Sequence, residues 1–447
     1  MNRRNLLKNL LIFIGANVLA SNKSKSAEPN EGKIKFRLDS VNELTNHKNY
    51  IDGDIVKLQH LLPGKKNGGG LFIYTTKLSR NNHDGGRIID PTRKYNGNLF
   101  DYLTPANTDS SEKGVLTRYG EEPIKLSDYG ADTGQEYSAV QGNTLALFNL
   151  INNSNSYDKI IIDVDTYITE VDIQLGNRNL ELVFTKPLHL AINNSRILRF
   201  NNKYTQGSLI LHNPELDGNN KYAGQDGGLL QINNIKVSKI FNLKLYNYKK
   251  HNKFNSNGIA TTGINCITYL YKPEIYGCDS QAIYSQTSTT FIYKPYIHDS
   301  QSHGIAHVNC NNFVCLGGII TNCDRGILTY STEKYRSMLN NMRIIGTSLR
   351  NNNIPFEVSR RFEEINVSGS LSNIYFKSVD FRNCRKNAII GNKKTNNKDG
   401  FSIRGIYFEN CEFDRPIDIY KAYKVTFTDC QGVEFRSNKT SKEISST

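Results

Sequence analysis

The sequence predicts an all-β protein, a right-handed parallel β-helix (solenoid) preceded by a small N-terminal β module and a short capping helix. Two observations favour this fold class. Ile275, Ile297 and Ile320 open three similar phrases that lie 22 and then 23 residues apart, and a fixed period of this size is typical of repeat architectures. The mean hydropathy is −0.52, as expected for a thin continuous core beneath a large outer surface.

The N-terminus has the pattern of an export signal. Arg3 and Arg4 precede an apolar run over Leu10–Leu19, which is too short to span a bilayer and is followed by small and polar residues. The paired arginines resemble a twin-arginine signal, with cleavage after Ala20 or near Ala27. We therefore assign residues 1–27 to the signal and expect a periplasmic, extracellular or cell-surface protein without a stable membrane span. An uncleaved N-terminal anchor is the alternative.

The charge of the chain favours a polyanionic partner. The formal net charge is +14, and removal of five cations with the signal leaves about +9 (14 − 5), which still attracts polyanions over long range. We expect an acidic polysaccharide as partner. There is no arginine-rich arm, helix-turn-helix pattern or aromatic RNA-binding motif, so we predict no nucleic-acid partner.

Residues 41–123 differ in texture from the rest of the chain. Three short apolar strands alternate with glycine-rich turns there, which predicts a small β module followed by a connecting loop. After this module, Ser138–Asn152 has the apolar spacing of an amphipathic helix. Such a helix would cap one end of a solenoid and keep its core from water.

The β-helix domain is predicted over residues 124–437, with a polar tail at 438–447. The apolar residues that open successive coils are Leu245, Ile275, Ile297, Ile320, Leu349, Phe381 and Phe413. The unequal steps between them predict coils of constant circumference with loops at one or two corners. Helical repeats would need an apolar period of about 3.6 residues, which is missing.

The eight cysteines would ordinarily predict disulfides in an exported protein. However, Cys278, Cys323 and Cys384 each lie three residues after the apolar residue that opens their coil. Equivalent positions would stack, so we expect a column of reduced, half-buried thiols. No pair has the C-x-x-C spacing of a zinc site, and we predict no metal cofactor, with calcium at turn aspartates left open.

Two stretches carry a family resemblance. The segment Leu126–Ala131, followed by the helical segment, resembles the entry to pectate-lyase-like β-helices. The preceding glycine-rich segments Gly53–Val56, Gly68–Phe72 and Asp84–Arg87 resemble the module in front of the β-helix in phage-tailspike-like depolymerases. The resemblance implies action on a complex carbohydrate, because polysaccharide lyases, hydrolases, epimerases and some binding proteins share this scaffold. A homotrimer is left open as the assembly.

Four polar residues occupy equivalent positions just before the repeated Gly/Ala-Ile pairs. They are Asn257, Gln281, His303 and Arg325. Because the isoleucines must face inward and alternation turns Tyr284 outward, we expect this column at the strand edge, where side chains from successive coils can meet one ligand. Four coils span roughly 14 Å, a length that suits an extended oligosaccharide.

The column lacks the carboxylates of a familiar hydrolase. In polygalacturonases three consecutive coils carry Asn-Thr-Asp-Gly, an Asp-Asp pair and Gly-His-Gly-Ile. Here only His303 matches, and the aspartate positions hold uncharged residues. Paired-carboxylate hydrolysis at this place is disfavoured, because glycoside hydrolysis needs two carboxyl groups a few ångströms apart.

A lyase that acts by β-elimination has other needs, namely a cation beside the uronate carboxylate and a base within hydrogen-bond reach. Arg325 as the cation, with His303 or Tyr284 as the base, meets them on adjacent coils. A lyase is therefore slightly favoured over a hydrolase. The alternative is that these residues are ordinary turn residues of the architecture.

Further candidates lie beside this column. Asp299 and Asp324 are candidates for hydrolysis or for a calcium site, although turn aspartates more often accept backbone N–H groups. The predicted substrate-binding residues are Asn257, Gln281, Asp279, Tyr330, Lys334 and Arg336, the last two in a loop that walls the groove. His307 shares the inward parity of Ile305 and is interpreted as a satisfied core or strand-end histidine.

The sequence thus predicts an exported protein that degrades an acidic polysaccharide. The rival from another class is a catalytically silent glycan-binding protein or adhesin on the same scaffold. A third hypothesis, a phage-derived tailspike captured by a host genome, explains the N-terminal module but not the export signal.

Overall fold

The computed structural model describes most of the chain from residue 33 onward. The described ranges are 33–104, 112–120, 123–222, 227–250, 256–309, 312–331, 339–360, 369–391, 401–437 and 441–446. The predicted signal over residues 1–27, together with Lys334 and Arg336, lies outside them. No helix in these ranges is long and apolar enough to cross a membrane.

The N-terminal module is a five-stranded sheet in the order β1-β2-β3-β5-β4. Its strands are β1 (Ile34–Leu38), β2 (Ile55–Leu58), β3 (Gly70–Ser79), β4 (Ile88–Ile89) and β5 (Lys113–Arg118). Its helices are α1 (Val41–Leu44), α2 (Leu99–Leu103) and the 3-10 turn Arg80–Asn82. The first strand pairs in parallel with the second, and the remaining pairs are antiparallel. The module therefore takes in a strand before residue 41.

The predicted capping helix is present as α3 (Tyr137–Asn152), after the 3-10 turn Leu126–Tyr129. Its buried face includes Leu147, Leu150 and Ile151, which belong to the same core cluster as the first coils. At its C-terminus, the Arg178 guanidinium donates to the main-chain oxygens of Ile151 and Asn152 at 3.0 and 2.8 Å. This bond satisfies carbonyls that have no partner within the helix.

The β-helix consists of three ladders of parallel strands, one on each side of the coil. Ladder 1 contains β9 (Val171–Gln174), β12 (Leu198–His212), β14 (Gly227–Phe241), β16 (Ser256–Thr262), β19 (Gln281–Gln286), β22 (His303–Val308), β25 (Arg325–Ser331), β27 (Ile354–Arg360), β29 (Ala388–Ile390), β31 (Ile417–Ile419) and β33 (Phe435–Ser437).

Ladder 2 shares the long bent strands β12 and β14 with ladder 1. Its other strands are β6 (Ile124–Lys125), β7 (Lys159–Ile162), β10 (Asn179–Phe184), β17 (Ile267–Tyr271), β20 (Thr289–Tyr293), β23 (Phe313–Leu316), β26 (Leu339–Ile345), β28 (Gly369–Lys377), β30 (Phe401–Glu409), β32 (Ala422–Thr428) and β34 (Lys442–Ser446).

Ladder 3 is shorter and continues as isolated bridges toward the C-terminus. Its strands are β8 (Thr166–Ile168), β11 (Leu188–Leu190), β13 (Glu215–Asp217), β15 (Lys244–Tyr248), β18 (Glu274–Cys278), β21 (Tyr296–His298) and β24 (Ile319–Thr321).

Residues that lie one sequence period apart are paired on neighbouring coils of the structure. On ladder 3, Ile275 pairs with Ile297 and Ile297 with Ile320. On ladder 1, an inward column joins Ile259, Ile283, Ile305, Ile327 and Phe356. All eight residues are fully buried, and burial of one such side chain stabilises a fold by about 1.5 to 3 kcal/mol. The parallel β-helix prediction is confirmed.

The corners of the coil use left-handed backbone. After each ladder 2 strand from β12 to β32, one residue has φ between 48° and 66°. These residues are Asn213, Asn242, Lys272, Lys294, Gly317, Gly346, Ser378, Asn410 and Asp429. A second column lies where ladder 3 leads into ladder 1, with Asn247, Gly277, Asp299, Asn322, Asn351 and Asn383. Glycine and asparagine tolerate this conformation best, which accounts for their abundance in the chain.

The described cysteines are all unbridged, as predicted for Cys278, Cys323 and Cys384. The three thiols occupy equivalent positions, but Ser300 and Asn352 occupy the same position on the coils between them. They are also buried rather than half-buried. Burial raises the pKa of Cys278 and Cys323 to about 12, so these thiols are unreactive.

The interpretation of His307 as a satisfied core histidine is only half right. Its side chain is fully buried in the coil and packs on Phe313, with ring centroids 4.5 Å apart. However, no described group bonds either ring nitrogen. The inward column around it contains Thr261, Ser285 and Thr329. Burial lowers the pKa of His307 to about 3.

The corner conformation predicts how Asn242 tolerates substitution. Its φ is 53°. Its side-chain amide donates to the side-chain oxygen of Asn213, which lies on the preceding coil, at 2.8 Å. We expect Asn242→Val to lower the free energy of unfolding by about 1 to 2 kcal/mol, and Asn242→Gly to lower it less. Urea unfolding measures both. Equal losses in the two variants would contradict a conformational cause.

The buried imidazole predicts a pH dependence of stability. Because the folded pKa of His307 is lowered, the unfolded chain binds the proton more readily, and stability falls as the pH drops below the unfolded value of about 6.5 toward 3. From this residue we expect a loss of about 2 kcal/mol between pH 7 and pH 5. Urea unfolding of the His307→Leu variant should lack that part of the slope, and identical slopes would contradict the assignment.

Candidate functional site

The predicted polar column lies on the outward side of ladder 1. Asn257 pairs with Gln281, and His303 pairs with Arg325. The following small residue points inward in each coil: a Cβ on Gly258 would lie 3.1 Å from Cδ2 of the core residue Leu245. The coil turns at this glycine, and of the residues before it His303 and Arg325 are partly exposed, whereas Asn257 and Gln281 are buried.

Three amide side chains on this face contain acceptors that the described part of the chain does not satisfy. Asn257 and Gln281 are 4% and 3% exposed, and Gln231 on a neighbouring outward column is 9% exposed. No described donor reaches the side-chain oxygen of any of the three. An unsatisfied buried acceptor costs about 1 to 3 kcal/mol, and all three oxygens lie beneath the surface.

Arg325 is held between two carboxylates. Its Nε donates to Glu357 Oε2 at 2.5 Å, and its Nη1 donates to Asp324 Oδ2 at 2.5 Å. Asn353 and Ser359 in turn donate to the remaining oxygens of Asp324 and Glu357 at 2.6 and 2.7 Å. The three charged side chains are 17% to 34% exposed. The cluster is therefore open to solvent and has one more negative than positive charge.

Glu357 was missed in the sequence. It follows Phe356, which pairs with Ile327, and it therefore lies outward beside Leu328. The alternation of Ile354, Phe356 and Val358 around it was the available signal. That signal was hidden because Pro355 replaces the Gly or Ala of the repeated phrase, so the coil lacks the marker used to find the column.

His303, Tyr284 and Tyr330 were also predicted as site residues, and each has different neighbours. The His303 side chain is partly exposed on β22, and its main-chain oxygen accepts from Ser300 Oγ at 3.3 Å. Tyr284 faces outward, as predicted, and packs against an outward apolar cluster that includes Val308 and Tyr330. Tyr330 is only 2% exposed, so in this structure its ring is not a surface platform.

The three turn aspartates bond different partners. Asp299 has left-handed backbone, contacts His298 Nδ1 at 2.6 Å and accepts from Asn322 at 3.2 Å. Asp279 accepts from Gln301 at 2.8 Å. Asp324 instead faces Arg325. Within the described ranges, no group of three His, Cys, Asp or Glu side chains could hold a metal ion.

Two further polar clusters lie away from ladder 1. Between the module and α3, a cavity of about 590 Å³ is lined by Asp84, Arg87 and several asparagines. The Asp84 carboxyl accepts three main-chain N–H groups, and burial raises its pKa. On ladder 3, His189 bonds Asp217 at 3.0 Å and Asp165 at 2.9 Å. The bond to Asp217 raises the pKa of this histidine.

The ion cluster predicts a measurable coupling between Arg325 and Glu357. We expect a double-mutant cycle with Arg325→Met and Glu357→Gln to give a coupling energy of about 1 kcal/mol, because the pair is partly exposed. Urea unfolding at low ionic strength measures it. The Lys377–Glu409 pair on ladder 2 is the matched control, since it also bridges neighbouring coils. Zero coupling in the first cycle would contradict the described geometry.

Comparison with known families identifies the N-terminal module. Residues 37–102 match the family model of the phage tail protein small four-stranded beta-sheet domain. This match confirms the tailspike-like module that the glycine-rich segments predicted. No curated protein sequence matches the chain.

Several solved structures are similar to the chain in fold. One is Pantoea stewartii WceF, a glycan biofilm modifying enzyme with a bacteriophage tailspike-like parallel β-helix fold, at 11% identity and a TM-score of 0.39 over 90% of this chain and 48% of that chain. Another is the tailspike of Acinetobacter phage vB_ApiP_P1, at 11% identity and a TM-score of 0.43 over 92% and 72%. The chain spans about half the length of the first.

A third similar structure is the tailspike of Acinetobacter baumannii phage AM24, at 12% identity and a TM-score of 0.41 over 92% of this chain and 65% of that chain. At such identities the likeness concerns the fold and not the residues of any site.

Proposed function

We propose that this protein binds a polysaccharide along the outward side of ladder 1 and hydrolyses it. Asp324 and Glu357 would be the two catalytic carboxyl groups. The observation that carries the proposal is the contact of both carboxylates with the single Arg325 guanidinium. Carboxylates that bond different nitrogens of one guanidinium lie several ångströms apart. Paired carboxyl groups act in glycosidases at separations of about 5 to 9.5 Å.

Hydrolysis fits this cluster better than elimination. A lyase needs a cation that is available to neutralise the uronate carboxylate, but the charge of Arg325 is already compensated by Asp324 and Glu357. In hydrolysis, one carboxyl group protonates the glycosidic oxygen, and the other attacks the anomeric carbon or activates a water molecule. Arg325 would hold the two groups in place.

The outward side of ladder 1 would bind the sugar chain beside the cleavage point. His303 and Arg325 are partly exposed there on neighbouring coils, whereas the predicted binding residues Asn257 and Gln281 lie beneath that surface. From β14 to β25 this face crosses four coil intervals, roughly 19 Å at the spacing of parallel strands. That length accommodates an oligosaccharide segment.

The net charge and the N-terminal module bear on the source of the polysaccharide. The basic chain favours an acidic polymer, and the match to a phage tail domain over residues 37–102 is consistent with a bacterial surface glycan. We also propose that residues 1–27 direct export to the periplasm or cell surface, which the mass of the mature N-terminus tests. The homotrimer remains a proposal that light scattering in solution tests.

A second candidate function is a lyase with His303 as the base. The observation that favours it is the direct pairing of His303 with Arg325 on neighbouring coils. For this reaction Arg325 would have to release one carboxylate when the substrate binds. Glycan binding without cleavage is the third outcome that the experiment must separate.

The experiment is incubation of purified full-length protein with a panel of acidic capsular and uronate polysaccharides. Reducing ends without ultraviolet absorbance support hydrolysis. Reducing ends together with the absorbance of unsaturated ends support the lyase. Binding without either signal would overturn both enzymatic proposals. Parallel reactions with a chelator test whether calcium takes part.

Substitutions then test the cleavage site on any active substrate. We expect Glu357→Gln and Asp324→Asn each to lower kcat by at least about 100-fold, because each variant removes one carboxyl group. His303→Ala should have a smaller effect on a hydrolase and an equally large one on a lyase. The control Glu409→Gln changes a cross-coil ion pair on ladder 2 and should keep full activity. Unchanged turnover in both carboxylate variants would place the active site elsewhere.

A further inference from the structure

Two cysteines near the C-terminal end of the β-helix occupy the same position on neighbouring coils. Cys411 follows the corner residue Asn410, and Cys430 follows the corner residue Asp429, each with φ of 52°. The parallel bridge between Glu412 and Gln431 comes next in both coils, and the Gln431 N–H donates to the Cys411 oxygen at 2.9 Å. The two residues are therefore direct neighbours across the coil interval.

The Cys430 side chain also contacts Cys411. The Cys411 N–H donates to Cys430 Sγ at 3.4 Å, so the thiol of Cys430 leans toward the preceding coil. Neighbouring strands lie about 4.8 Å apart, within the range of about 4.4 to 6.8 Å that disulfides span between Cα atoms.

Three of the other described cysteines are less well placed. Cys278 and Cys323 have the coil of Ser300 between them, and Cys323 and Cys384 have the coil of Asn352 between them. Two coil intervals amount to about 10 Å, beyond the limit of about 7 Å for a disulfide.

The pair also differs in exposure. Cys411 is fully buried, whereas Cys430 is partly exposed and can meet an oxidant. Hydrogen bonding within the pair lowers the pKa of Cys430 and raises that of Cys411. Because Cys430 is also the exposed member and the thiolate is the reactive form, Cys430 is the nucleophile of the pair.

We propose that Cys411 and Cys430 are an oxidation site that forms a disulfide across two neighbouring coils. The oxidant is a disulfide, either that of a thiol oxidoreductase or oxidised glutathione. The Cys430 thiolate attacks one sulfur of the oxidant and releases its other half as a thiolate. The Cys411 thiol then loses its proton and attacks Cys430 Sγ, which releases the second half. The protein loses two electrons and two protons, and the oxidant is reduced to two thiols.

The bond would link two coils whose strands also pair directly, since β30 pairs with β32. A covalent link between these coils would restrain their local separation. This proposal is independent of the proposed polysaccharide hydrolysis.

The test uses the full chain, treated with oxidised glutathione or with a reductant, then denatured and alkylated. Peptide mapping of the oxidised sample should give one cross-linked peptide that contains Cys411 and Cys430. Hydrogen exchange in β32 should slow in the oxidised protein. Cys430→Ser should abolish the cross-link and the slower exchange, whereas the control Cys266→Ser should retain both.

Alkylation of both Cys411 and Cys430 after oxidation would overturn the proposal. A cross-link between either of them and another cysteine would overturn it too. If Cys430→Ser fails to fold, Cys430→Ala replaces it. The peptide map of the oxidised chain without any substitution remains decisive by itself.

Discussion

The left-handed backbone at the corners is the constraint on which the rest of this structure depends. One residue with positive φ after each ladder 2 strand from β12 to β32 turns the chain through the same angle in successive coils. Equal corners give coils of equal circumference, and only then do equivalent residues lie directly above one another. The buried isoleucine columns, the stacked corner asparagines and the outward polar column all follow from this repetition.

Stacking also determines how the candidate site is assembled. Arg325 and Glu357 are 32 residues apart in sequence and meet because one coil interval separates them. Neither residue needs a special loop to reach the other, since register alone places them. The outward side of ladder 1 therefore brings together polar and charged side chains from several coils, while the inward side of the same strands contributes to the apolar core.

The sequence was most informative where the repeat was regular. The phrases around Ile283, Ile305 and Ile327 predicted the register and the place of His303 and Arg325 at the strand edge, because a glycine or alanine marks the corner in each. Glu357 escaped detection since its coil has Pro355 at that corner. The empty hydrogen-bonding positions of His307 were equally invisible, because parity predicts burial but does not name the groups that face a buried side chain.

The number of residues per coil varies, and this variation affects how related chains can evolve. Phe356 pairs with Ile327 although 29 residues separate them, whereas Ile305 and Ile327 are 22 residues apart and pair in the same way. An insertion at a corner therefore lengthens the surface and leaves the register of the core unchanged. Related chains can therefore differ in their corner segments, and so in the surfaces that bind a partner, while they keep the same core and the same fold.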